Sequence, residues 1–368
     1  MRIAYLLDWD INAHSGVLNK VEMQVNMWEK AGHEVFVCFT SYRTNYDFII
    51  KARNVKVFER PALSILYFPP IRTFLGKAIS YRQILKYLKS VNPDVIYFRQ
   101  SGMWFPYLDK ILGAFPSVME ANTLDLKEIH FFYGALNRAI YKFGRKRIVR
   151  AVKGFVTVTN EIGHEFISYN KPIEVIANGM KIAARRKKNT AEKKSTDLIF
   201  VGSPGQSWQG EDLVVELAAA LPDFNFHIVG TDGKNMEYSS NVKFYGYLNR
   251  KELSDLYEKV DIGIGTLALH RKGMKEACPL KVREYLSWGL PVILGYDDTD
   301  IKNVPFALNI SFEGNNVGLR ARQVETFVKE WKGKIVSEAE LVPLIGVEPK
   351  ENKRLAFLKL VSGLFHKN

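Results

Sequence analysis

Short apolar runs alternate with amphipathic stretches of helical period along most of the chain, and this alternation restricts the fold more than any other feature. In the first half the runs are Arg2–Leu7, Glu34–Phe39, Val55–Phe58, Val95–Phe98, Ser117–Glu120, Gly154–Val158 and Ile173–Ile176. In the second they are Leu198–Val201, Asn225–Val229, Val242–Tyr245, Ile262–Gly265 and Pro291–Leu294. Apolar runs this short, separated by helices, form parallel sheets covered by helices on both faces. Between the two sets lies Lys181–Lys194, which is basic, poor in apolar residues and reads as a flexible linker. A chain of 368 residues is also long for one core. The expectation is an α/β protein with a domain over 1–180, a basic linker over 181–196 and a second domain over 197–349. Apolar residues at Leu355, Phe357, Leu358, Leu360, Val361 and Leu364 predict a last helix, with 350–368 packing back on the first domain. Ligands of open parallel sheets bind at the carboxyl ends of strands, so the site is expected in a cleft between the domains.

Charge comes next, because the formal net charge of +13 predicts an anionic partner. From Arg138 to Lys153 there are seven basic residues and no acidic one, with Ile140, Phe143 and Ile148 among them and Phe131-Phe132-Tyr133 just upstream. Tyr67–Lys89 has the same character. Both read as helices with basic faces, which suit an anionic membrane surface or are ordinary solvated faces. No zinc-finger spacing, RNA-recognition signature or heptad pattern points to nucleic acid. No apolar run reaches the ~18–20 residues needed to span a bilayer, and the N-terminus reads as a buried strand rather than a signal peptide. Cys38 and Cys278 stand far apart, which gives neither a disulfide framework nor a metal cluster and fits a reducing cytosol.

The chemistry concentrates in residues 276–295. Cys278-Pro279-Leu280 enters a helix, with Pro279 suited to its first position; the helix carries Val282, Tyr285 and Leu286 on one face and stops at Gly289 before the strand at Pro291. A helix start offers free backbone N–H groups and the positive end of a dipole, which suits a diphosphate. Lys281 would add a full charge. Glu284, a turn further on, could accept bonds from ribose hydroxyls, and Glu276, in the loop before the helix, from hydroxyls of a transferred sugar. Two carboxylates on either side of a diphosphate site fit a nucleotide-sugar. Asp8-Trp9-Asp10 has the form of a metal-binding Asp-x-Asp but lies at the first strand end, and His130 and His270 are too far apart in sequence to suggest one metal site.

With these residues in view, the sequence resembles glycosyltransferase family 4, the retaining enzymes of GT-B fold. The resemblance spans nearly the whole chain and implies two Rossmann-like domains facing a cleft, with the C-terminal helix crossing back to the first. Glu276 and Glu284 match the family's Glu-x7-Glu motif, followed by Gly289-Leu290-Pro291-Val292-Ile293. Ser15-Gly16 falls at the family's Gly-Gly loop, Asn178-Gly179 at the Asn-Gly before the linker, and Gly202, Gly230 and Gly246 at strand-end glycines. The resemblance implies a nucleotide-diphosphate-sugar donor, a glycan or lipid-linked acceptor and no metal. It implies donor contacts from Ser15, Gly16, Gly202, Ser203, Gly205, Gln209, Cys278, Pro279, Leu280 and Glu284. Catalytic roles fall to Glu276, Lys281 and Asn122, which stands where relatives have a cleft histidine; Arg99, Glu120, Arg271 and Lys272 are further cleft or acceptor candidates. One departure matters: where many relatives carry an Arg and a Lys, the loop Gly202-Ser203-Pro204-Gly205-Gln206-Ser207-Trp208-Gln209-Gly210 has no basic residue. Lys281 is the expected replacement. The rival readings are a non-catalytic nucleotide-sugar-binding protein on the same scaffold, and an epimerase or phosphorylase of GT-B shape.

Overall fold

A computed structural model describes residues 1–9, 16–41, 52–61, 69–100, 104–132, 134–183, 195–234, 236–314 and 317–365. Ser15, Asp10 and most of the basic segment expected as a linker, 184–194, lie outside the described residues. The chain divides into two compact units, Met1–Ile176 with Val347–Asn368, and Ala177–Gly346.

The first unit is built on seven strands: β1 (Arg2–Leu7), β2 (Glu34–Ser41), β3 (Asn54–Glu59), β4 (Val95–Arg99), β5 (Ser117–Ala121), β6 (Gly154–Thr157) and β7 (Ile173–Val175). Its helices include α1 (Gly16–Lys30), α2 (Pro69–Val91), α3 (Leu108–Ala114), α4 (Asp125–Phe132), α5 (Ala135–Ala151) and α6 (Asn160–His164). In the second unit are β8 (Thr196–Val201), β9 (Phe224–Val229), β10 (Val242–Phe244), β11 (Ile262–Ile264), β12 (Glu276–Ala277), β13 (Val292–Leu294), β14 (Asp297–Asp298) and β15 (Ala307–Asn309). Its helices are α7 (Glu211–Ala220), α8 (Arg250–Tyr257), α9 (Leu280–Ser287), α10 (Val317–Trp331) and α11 (Glu338–Ile345), and the last helix, α12 (Val347–Phe365), returns to the first unit.

Both main sheets are parallel, ordered β3-β2-β1-β4-β5-β6-β7 and β10-β9-β8-β11-β13-β15. Each is doubly wound, with its order reversing beside the first strand, between β1 and β4 and between β8 and β11. That reversal opens a crevice at the carboxyl ends of the two strands. The strands are nearly continuous apolar runs because both faces are covered; β4 and β5 are buried at every position. In the first unit Leu355, Phe357, Leu358 and Val361 of α12 join the core formed by β1, β2 and α1. A Cβ on Gly154 would lie 3.1 Å from Val361 and 3.2 Å from Phe357, so a glycine at the start of β6 lets α12 pack close.

Two expectations are corrected. Glu276 lies in a short strand rather than a loop: Glu276 and Ala277 pair with Asp297 and Asp298. Pro279 is the residue just before α9, with extended backbone (φ −70°, ψ 142°), rather than its first helical residue.

Candidate active site

At the crevice of the second sheet, β8 ends at Val201 and α9 lies against β11 and β13. Glycine makes the close approach possible. A Cβ on Gly263 would sit 2.4 Å from the Tyr285 ring, and one on Gly265 would sit 3.1 Å from Val282. With α9 pressed onto β11, the Tyr285 hydroxyl accepts a bond from Val201 N (2.8 Å) and Lys281 Nζ donates to Val201 O (3.0 Å). Both backbone groups of the last β8 residue are therefore taken by side chains one turn apart on α9. The end of α9 is equally well set: Gly289 (φ 73°) donates to Leu286 O and Leu290 to Tyr285 O, the paired bonds of a Schellman stop.

Lys281 also donates to Gln209 Oε1 (3.3 Å) and places its ammonium 4.2 Å from the centre of the Phe200 ring. Its partners among the described residues are thus a carbonyl, an amide oxygen and a π face, with no carboxylate. Desolvation alone pulls its pKa down to about 7. An anion arriving here would restore the charge.

A second cation fixes the frame. Arg283 is fully buried; it bonds both oxygens of Asp298 (2.9 and 2.7 Å), Asp300 (3.0 Å) and Asn178 O (3.0 Å). Asn178 in turn holds Cys278, with its amide N donating to the thiol (3.1 Å) and its side chain to the Cys278 carbonyl (2.5 Å). Burial pushes the Cys278 thiol up to about 11, so it stays protonated and packs rather than reacts. These ties fix the approach to α9. The amides of the first helical turn lack intrahelical acceptors, and Pro279 has no N–H and no side-chain cap. Glu276, just upstream, lies 3.7 Å from Lys302 and is partly buried. Burial raises the pKa of Glu284.

The loop after β8 is shaped by close packing. A Cβ on Gly230 (φ 99°) would meet Gly202 O at 2.2 Å, and Gly202 N donates to Val229 O. Ser203, Pro204 and Gly205 are exposed, whereas Trp208 is buried under the Lys272 ammonium (4.9 Å). Arg271 forms a two-pronged pair with Asp212 (2.8 and 2.6 Å) and bonds Ser207 O, so it braces this loop. A separate cavity of about 620 Å³, lined by Asp197, His227, Tyr245, Glu252 and other residues of β8–β10 and α8, shares no residue with this arrangement.

In the first unit Gly16 opens α1 and is exposed. Glu120, at the end of β5, has no exposed surface; Lys20 (2.6 Å) and Arg99 (3.0 Å) pair with it, and Arg354 lies 3.9 Å away. Asn122 accepts from Lys20 (3.3 Å), and its own amide nitrogen is buried without a partner. Asp8 is held by Arg60 (2.9 Å), Lys77 (2.5 Å) and Thr40 (2.7 Å). Two features escaped the sequence reading: the Arg283 clamp, whose partners are scattered, and the latch of Tyr285 on Val201.

Residues 15–183 match the family described as Glycosyltransferase Family 4, and residues 181–299 match Glycosyl transferases group 1. The protein is a glycosyltransferase. The two matches follow one another along most of the chain, a succession typical of glycosyltransferase family 4. Among solved structures it resembles a sucrose-phosphate synthase from Thermosynechococcus elongatus (TM-score 0.71, 13% identity, 100% of each chain covered). It also resembles HepE from Anabaena in complex with UDP (TM-score 0.66, 13% identity, 98% of this chain and 100% of the other). A third is the lipopolysaccharide outer core galactosyltransferase WaaB (TM-score 0.64, 14% identity, 100% of each chain). These likenesses establish the GT-B fold. No curated protein sequence matches the chain.

Proposed function

We propose that the protein is a retaining, metal-independent glycosyltransferase that moves a sugar from a nucleotide-diphosphate-sugar to a glycan or lipid-linked acceptor, in cell-envelope or polysaccharide biosynthesis at the cytoplasmic face of an anionic membrane. The observation that carries the donor half is Lys281, a desolvated cation with only neutral partners among the described residues, at the start of α9. The UDP in Anabaena HepE supports a nucleotide donor by analogy.

In this reading the diphosphate lies at the free amides of α9, with Lys281 Nζ on its oxygens. Glu284 accepts from the ribose, and Glu276 accepts from the hydroxyls of the sugar. Gly202, Ser203, Gly205 and Gln209 line the donor from the β8 side. The acceptor hydroxyl attacks the anomeric carbon from the face the diphosphate leaves. The carbon–oxygen bond to the diphosphate breaks, the bond to the acceptor forms, and the hydroxyl proton passes to the departing phosphate oxygen. The protein's contribution is positioning and stabilisation of the leaving charge. Asn122 is assigned to the acceptor side. Glu276→Ala is expected to nearly abolish transfer while leaving donor binding measurable by thermal shift; full turnover in that variant contradicts the assignment. Turnover that survives chelation supports metal independence, and its loss refutes it.

A further inference from the structure

The first unit carries an apolar surface that its own core does not use. On α5, Leu136, Ile140 and Phe143 recur at helical spacing and are 75%, 45% and 60% exposed. The opposite face of the same helix, with Tyr141, Gly144, Ile148 and Val149, is the buried one. On α2, Phe74 and Leu75 are 39% and 40% exposed. Trp104 joins the two helices: its ring lies 6.4 Å from Phe74 and 6.4 Å from Phe143. Gly144 permits this junction, since a Cβ there would lie 2.3 Å from Trp104 Cβ.

The two helices that carry this surface have charges of one sign only. Neither α2 nor α5 contains an Asp or Glu along its length. Lys142, Lys146 and Arg150 on α5, and Arg72, Arg82 and Lys86 on α2, are exposed and have no carboxylate partner among the described residues. Arg147 differs, being paired with Asp109 (2.6 Å) and laid over the Trp104 ring at 4.9 Å. That pair fixes the aromatic junction; Arg145 and Lys77 are turned inward onto Asp125 and Asp8, and the six exposed cations are left on the outer surface.

We infer that this face, with Leu136, Ile140 and Phe143 at its centre and Phe74, Leu75 and Trp104 beside them, docks on an anionic phospholipid surface. Exposed apolar side chains gain by entering the headgroup–acyl boundary, while Lys and Arg at the rim gain from anionic headgroups. A solvated basic face would have no use for three large apolar side chains in one line. A nucleic-acid duplex would use the charge but gives no place for Leu136 or Ile140. No helix among the described residues is long and apolar enough to cross a membrane, so this is attachment in the plane of the surface. The inference rests on the glycosyltransferase reading only for its purpose, which is to hold the enzyme where a lipid-linked acceptor resides.

The test is co-sedimentation of the full chain with vesicles of phosphatidylcholine alone and of phosphatidylcholine mixed with phosphatidylglycerol. Binding is expected only with the anionic lipid, and it should weaken with salt as surface charge is screened. Lys142→Gln with Lys146→Gln should lower the partition by about fivefold per residue. Leu136→Asn with Phe143→Asn should lower it by about tenfold while keeping both cations. These positions are exposed, so both double variants should retain the wild-type circular dichroism and nucleotide-sugar binding. No binding to anionic vesicles overturns the proposal, as does wild-type binding by the Leu136→Asn, Phe143→Asn variant. Stronger binding to an RNA duplex than to vesicles, unaffected by that variant, assigns the face to a polyanion and also overturns it. Failure of the donor reading would show separately, as loss of nucleotide-sugar binding with vesicle binding intact.

Discussion

Each unit places cations at the carboxyl end of its sheet, and the two units treat them in opposite ways. In the first, Lys20, Arg99 and Arg354 converge on Glu120, with Glu351 bonded to Arg354 and to the Trp28 indole (2.8 Å). Those cations hold the Glu120 carboxyl well below the usual carboxylate range despite its burial. In the second, Lys281 is partly buried and meets a carbonyl, an amide oxygen and a ring instead. A buried cation with a carboxylate is finished structure. One left with neutral partners is destabilised until an anion arrives, and such groups concentrate at functional sites.

The contrast can be broken from the structural side first. Glu120→Leu strands buried cations and should destabilise the first unit by about 3–5 kcal/mol, read as a lower urea midpoint; an unchanged midpoint means the cluster is not holding the sheet end. Lys281→Met should do the reverse. Because its folded pKa lies near 7 and its ordinary value is 10.5, the unfolded chain binds more protons between those pH values. Wild-type stability at this site therefore rises with pH from about 7 to 10.5, and the penalty is fully present below 7. The Met variant should unfold no more easily than wild type near pH 6, while kcat/KM falls by about 100- to 1000-fold, the effect of removing one leaving-group stabiliser. A stability loss as large as that of Glu120→Leu would make Lys281 a structural residue.

Sequence patterns made much of this legible, for reasons that can be located. The long parallel strands are apolar on both faces and stand out, and α9 announces itself through Pro279, its apolar face and Gly289. Ala307–Asn309 was missed as a strand because it is three residues long, ends in a polar residue and gains its place only by pairing with β13. Glu276 was placed in a loop because a two-residue strand has no period to detect; its partner, Asp297, is distant in sequence. Arg283 reads as one more basic residue on a helix, and only folding brings Asn178, Asp298 and Asp300 to it. The absence of a basic residue from 202–210 was visible at once, but the position of Lys281 over Phe200 and against Val201 depends on the glycines of β11.

The most direct test of Lys281 as the donor's counter-charge is the proton count on binding. The nucleotide-sugar that most stabilises the protein in a thermal-shift panel should be titrated calorimetrically at pH 8 in buffers of different ionisation enthalpy. With Lys281 largely neutral before binding and charged after it, the wild type should take up close to one proton per donor, and affinity should fall as pH rises above about 7. Lys281→Met should bind more weakly and take up none. Equal proton uptake in the two proteins, or a wild-type affinity that does not change between pH 6 and 9, would contradict the account.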